Sequence, residues 1–127
     1  MLVTSLPQYV QGLTNAKLDL TTTDITTLYT APSTADFNAS VINSIIVSND
    51  SGSGDTLTLT ITNTSSAVFN LFQVKAVAAN TSIELLTRDL ILQSGEVLKA
   101  TAAGANRLHV TASVQEFAIH RTPQSAL

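Results

Sequence analysis

Thr56-Leu57-Thr58-Leu59-Thr60-Ile61-Thr62 is a strict alternation of hydroxyl and aliphatic side chains. A period of two is the signature of a β-strand with one buried face, and β-branched Thr suits the pleated outer face. Leu57, Leu59 and Ile61 therefore point into a core, and the threonines face water or a neighbour. Leu108, Val110, Ala112 and Val114 repeat the device, with Arg107, His109, Thr111, Ser113 and Gln115 opposite. In the segment 40–49, Ile45 and Val47 alternate with Ser44 and Ser48. Ile42 and Ile46 place further apolar surface on its second face, so this strand reads as more deeply buried.

Working outward, the spacing predicts further strands at 25–31, 68–77, 81–87, 89–92 and 96–102. Turn signals separate them: Ala31-Pro32-Ser33, the run from Asn49 to Asp55, Asn63-Thr64-Ser65-Ser66, Ala79-Asn80, Ser94-Gly95 and Gly104-Ala105-Asn106. About eight short antiparallel strands at even spacing predict an all-β sandwich of two sheets, jelly-roll-like or, alternatively, Ig-like. No stretch supports a helix. The ends carry a weaker pattern. We therefore expect an N-terminal arm over 1–20, the β-sandwich over 21–116 and a C-terminal arm over 117–127. Either arm could simply fray. The sharper expectation is that Leu2, Leu6 and Tyr9, with Val10 beside them, and Phe117 and Ile119 dock onto neighbouring subunits. On that reading, removing residues 1–18 leaves the sandwich folded.

Composition narrows the function classes. The 127 residues make one domain. There are 19 Thr and 13 Ser, and charged residues are only 12%, about half the usual share. A surface so poor in charge is covered by hydroxyls or hidden by partners. The absence of Cys excludes thiolate catalysis, Cys-type zinc sites and disulfides. Net charge is −3 and the six basic residues are scattered singly, which argues against nucleic-acid binding. No apolar run is long enough for a membrane-spanning helix. The N-terminus lacks the pattern of a signal peptide, which predicts synthesis in a cytoplasm.

Residues arranged for chemistry are few. His109 and His120 have no metal-ligand spacing around them. Gly52-Ser53-Gly54 begins like a dinucleotide fingerprint, but Leu57 replaces the third glycine and a strand follows where a helix is needed. Asp50 and Asp55 flank the same loop and could hold a Ca²⁺ with backbone carbonyls and Ser oxygens. Loop Asp also caps turns through its own backbone, and the sequence leaves the choice open. Aromatics for sugar stacking are scarce, with no Trp and two Tyr. No cofactor is expected, and no catalytic residue is assigned.

One ordered set of segments carries a resemblance. It runs from Leu28-Tyr29-Thr30-Ala31-Pro32 through Ile42-Asn43-Ser44-Ile45-Ile46-Val47-Ser48-Asn49 and the Thr-rich strand. It continues with Ala79-Asn80-Thr81-Ser82 and Leu92-Gln93-Ser94-Gly95-Glu96-Val97-Leu98-Lys99-Ala100, then Leu108 to Ser113. Over residues 25–116 the chain resembles small β-sandwich virion structural proteins of tailed bacteriophages, of the decoration or cement type. The resemblance implies a non-enzymatic subunit of a phage particle, made in the bacterial host cytoplasm. The expected role is a homotrimer on the capsid surface that bridges copies of the major capsid protein and stabilises the head. A neck, tail or fibre subunit is one alternative, and a carbohydrate-binding β-sandwich module is another.

Overall fold

The computed structural model describes residues 8–119. Among the described residues there is no helix, and nine strands form two antiparallel sheets. They are β1 (Gln8–Asp19), β2 (Thr26–Thr30), β3 (Phe37–Asn49), β4 (Asp55–Thr62), β5 (Val68–Val77), β6 (Thr81–Glu84), β7 (Leu90–Leu92), β8 (Val97–Ala102) and β9 (Leu108–Ile119). One sheet has the order β1-β9-β3-β6, with β7 also on β3, and the other has the order β2-β8-β4-β5.

That order decides between the two expected topologies. β6 and β7 both pair with β3, Ile46 opposite Glu84 and Ile42 opposite Leu90. Four steps along β3 match six along the partner, so β6 and β7 are one strand interrupted over residues 85–89 by an excursion that adds two residues. Counted as one, they give eight strands in two four-stranded sheets, with chain neighbours sent to opposite sheets except for the β4–β5 hairpin. This is the jelly roll, not the Ig-like arrangement.

The core lies where the alternations put it. Leu57 and Leu59 of β4 and Leu108, Val110 and Ala112 of β9 are fully buried, packed with Ile45, Val47, Leu98 and Ala100. On β3 the expected faces change. Ile42 is fully buried and Ile46 is exposed, so the two do not share the second face. The register with β9 slips between Ile42 and Ser44, leaving Asn43 as an extra residue. A bulge reverses the alternation, so Ile42 and Ile45 both reach the core.

The predicted turns recur with the conformations they need. Asn80, Gly95 and Asn106 have φ of +55°, +78° and +62°, the left-handed region that Gly and Asn tolerate best. At Gly95 an added Cβ would also meet Thr64 Cγ2 at 2.9 Å. Asn49 is buried and closes its loop. Its Nδ2 donates to the carbonyls of Ser53 and Val77, and its Oδ1 accepts from the Ser51 N–H at 3.0 Å.

The expected arms need correction. Residues 8–19 form β1, paired with β9 from Gln8 opposite Ile119 to Asp19 opposite His109. Ala16 and Leu18 pack against the core and Leu20 lies inside it. The pattern was hard to read because the inward positions Gly12, Thr14 and Ala16 are small or polar. β9 likewise runs through Phe117 to Ile119, beyond the expected boundary at 116. Removing residues 1–18 would therefore strip an edge strand from the sandwich, contrary to the expectation that the rest stays intact.

Candidate assembly surface

Leu2 and Leu6 lie outside the described residues, as does the chain after Ile119. Tyr9, Phe117 and Ile119 lie at one end of the β1–β9 ladder, Phe117 and Ile119 at alternate positions of one face and Tyr9 in register with the Ala118 between them. Tyr9 is opposite Ala118, Phe117 is opposite Val10 and Ile119 is opposite Gln8. Phe117 is half-buried and sits on the face away from the core, between Val10 and Ala39. Strand pairing, which the arm reading omitted, is what gathers these three positions.

Outward-facing rungs cross the β1-β9-β3 sheet. One places Leu13, Gln115, Val41 and Ile91 side by side. Leu13 is 74% exposed and Ile91 61%. A second rung carries Lys17, Thr111, Ile46 and Glu84, and a third Asp19, His109, Ser48 and Ser82. The Glu84 carboxylate accepts from Ser44 Oγ, from the Ile45 N–H at 2.7 Å and from the Leu86 N–H at 3.2 Å. Desolvation pulls its pKa up, but these three donors outweigh it and hold the carboxyl below its ordinary value.

The outer face of the other sheet is nearly uncharged. Thr27, Lys99, Thr60 and Asn70 form one rung, and Thr58 and Thr101 another. Lys99 is the one outward charge among the described residues of β2, β8 and β4. Its edge strand, β5, exposes Val68, Phe69 and Val74, with Phe69 55% exposed. Sequence reasoning placed β5 correctly but missed these residues as surface features. An apolar residue type does not say which side of an edge strand it occupies.

Between the sheets, Tyr29 Oη lies 2.7 Å from Ser40 Oγ and donates to Glu116 Oε2. Ser40 is fully buried. Burial, then the hydrogen bond to Glu116, raises the Tyr29 pKa above its ordinary value, so the phenol stays a neutral donor.

Of the groups weighed for catalysis or metal binding, His120 lies outside the described residues, and His109 and Asp55 are engaged structurally. His109 Nε2 is 3.1 Å from Asp19 Oδ1 and Nδ1 is 3.8 Å from Asp50 Oδ2. Both ring nitrogens thus face carboxylates, and among the described residues neither faces a serine hydroxyl as a nucleophile's base must. Asp50 and Asp55 do not converge. The Asp55 carboxylate is buried and accepts from the N–H groups of Thr56 and Gly104, at 2.8 and 2.9 Å. Among the described residues no cluster of three or more His, Asp or Glu side chains is arranged for a metal. No helix of the described chain is long and apolar enough to cross a membrane. An open depression of about 550 Å³ at the loop end is lined by Gly54, Asp55, Val77, Ala78, Gly104 and Arg107. Arg107 Nη1 there donates to the Gly54 carbonyl at 3.2 Å.

No family model matches the sequence, and no curated protein matches it. Among solved structures, the chain is similar to a pentameric capsid protein isolated from metagenomic phage sequences. The identity is 18% and the TM-score 0.48, over 84% of this chain and 62% of that one. It is also similar to a protein of the T13 viral particle of infectious bursal disease virus. There the identity is 10% and the TM-score 0.50, over 96% of this chain and 42% of that one. The chain thus spans less than two-thirds of the length of either. At such low identity, the likeness to the bursal disease virus protein is one of fold, a jelly-roll sandwich.

Proposed function

We propose that this chain is a non-enzymatic structural protein of a bacteriophage virion, a capsid decoration or cement subunit that bridges copies of the major capsid protein. The carrying observation is the character of the outer surface. Both outer sheet faces present Thr, Ser and exposed aliphatic groups, the β2-β8-β4 face carries the single charge of Lys99, and His109 and Asp55 bond within the fold. Such a surface associates without the desolvation cost of buried ions. The ordered motifs over 25–116 support the phage assignment, and the jelly roll shared with a viral particle protein is consistent with it. A shell also repeats each weak contact many times, which raises effective concentration. The proposed unit is a homotrimer on the capsid surface. The contacts are carried by Tyr9, Phe117 and Ile119 at the shared ladder end and by Leu2 and Leu6 before it.

Copy number in purified particles tests the role. A decoration protein is present in hundreds of copies, in fixed ratio to the major capsid protein. A few dozen copies or fewer would assign it to the neck, tail or a fibre, and absence from particles would reject the virion reading. A sugar-binding module needs aromatic rings on an open face. Phe37 is buried, Phe72 packs against the core and Tyr29 is tied to Glu116. Phe69 and Phe117 reach the surface but belong to different sheets, so no two of these rings share an open face, which favours protein partners.

A further inference from the structure

We propose that two copies of this chain pair edge to edge through β1, antiparallel, with Asn15 on the two-fold axis. An open edge offers unpaired N–H and C=O groups to another strand, and folds usually blunt it. Three edges here are blunted. β2 has five residues and a register slip between Thr27 and Tyr29. The β6–β7 edge is interrupted at Leu85–Asp89. β5 slips register twice against β4, and the N–H of its left-handed Val74 is turned to Thr58 Oγ1 at 3.1 Å. β1 differs. From Gly12 to Asp19 it lies opposite β9 without a slip and contains no proline.

The hydrogen-bond phase identifies which groups are free. The Leu20 N–H donates to the Leu108 carbonyl at 3.0 Å. In an antiparallel ladder, bonded residues alternate with residues whose N–H and C=O point the other way. Leu18, Ala16, Thr14 and Gly12 therefore bond to β9, while Leu13, Asn15, Lys17 and Asp19 direct their backbone groups to the open edge. The Asp19 carbonyl is taken by the Thr21 N–H at 3.0 Å. That leaves Leu13, Asn15 and Lys17 with both groups unpaired among the described residues.

The set is self-complementary. One antiparallel register uses all three residues of both copies: Leu13 opposite the other copy's Lys17, Asn15 opposite Asn15, and Lys17 opposite Leu13. It closes a six-bond ladder and puts no like charges opposite each other. The Lys17 stem covers the exposed Leu13 of the other copy. A second copy is the fitting occupant because the chain's other edges offer no comparable regular run. The resulting contact is therefore isologous rather than head-to-tail. Where a trimer forms through other faces, this contact joins two trimers.

The chain has no native Cys, so one introduced thiol reports the contact. In the purified full chain, Asn15→Cys should form a covalent dimer under mild oxidation or with a short dithiol cross-linker, because residues paired this way have Cα atoms ~5.5 Å apart. Lys75→Cys on the β5 edge should not. Asn15→Pro removes a donor that β9 does not use, so far-UV circular dichroism should be unchanged. Sedimentation should show a pairwise association weakened by about tenfold or more, as expected from losing one or two backbone bonds. Asn15→Lys, which sets like charges on the axis, should weaken it similarly and serves if the proline variant fails to fold. The proposal is overturned if cross-linking at 15 is no greater than at 75. It is equally overturned if sedimentation shows no pairwise association that these substitutions weaken.

Discussion

The Tyr29 hydroxyl on β2 donates a 2.5 Å hydrogen bond to the Glu116 carboxylate on β9 and so ties the two sheets together. Ser40 on β3 completes the cluster. Removing the hydroxyl in Tyr29→Phe leaves a partly buried carboxylate and a fully buried serine short of a partner. The expected cost is about 1–3 kcal/mol, measured by urea unfolding. Glu116→Gln keeps an acceptor and should cost less.

Alkaline pH tests the same cluster. The folded Tyr29 holds its proton more tightly than the unfolded chain does, because of burial and the bond to Glu116. Its contribution is fully present below the ordinary phenol pKa of 10.0 and is lost as pH rises beyond it. The urea midpoint of the wild type should fall more steeply above about pH 10 than that of Tyr29→Phe.

Glu84 gives the opposite dependence. Its hydrogen bonds from Ser44, Ile45 and Leu86 overcome desolvation and lower its pKa. Its contribution is present above the ordinary glutamate pKa and is lost as pH falls through the depressed folded value. Ser44→Ala removes one donor, so the acid side of the stability profile should become shallower.

Much of this architecture was legible in residue patterns, and the exceptions have identifiable causes. Strands such as β4 and β5 were readable because alternation and turn residues agreed. β1 was not, because its inward side carries Gly12, Thr14 and Ala16 and its partner lies about a hundred residues away. The reversed faces on β3 depend on the bulge at Asn43, for which the sequence offers no unambiguous signal. The exposed apolar set was equally hidden, since exposure of Leu13 and Ile91 follows from sheet position. Asp55 was noticed for its charge, but its role follows from Gly104, 49 residues away in the chain.

That contact predicts a further result. Asp55→Ala leaves the N–H groups of Gly104 and Thr56 without their acceptor and loosens the β8–β9 loop, which then keeps, on its β4 side, only the Ala103 N–H to Thr56 carbonyl bond and the Arg107 contact with Gly54. A loss of about 1–3 kcal/mol is expected. Hydrogen exchange should show faster opening at Gly104 than at the β9 core.

Val74 carries the opposite sign. It is a β-branched residue with φ of +51° on an exposed edge, a conformation costing about 1–2 kcal/mol. Val74→Asn should raise stability by about 1 kcal/mol in thermal unfolding, because Asn tolerates this region better.

The central claim is that these hydroxyl and aliphatic faces serve to bind protein in a virion. Cryo-electron microscopy of purified phage particles encoding this chain tests it most directly. Jelly-roll density of this chain is expected on the outer shell, seated across neighbouring major capsid subunits. Complete particles whose shell, neck and tail all lack that density would contradict it.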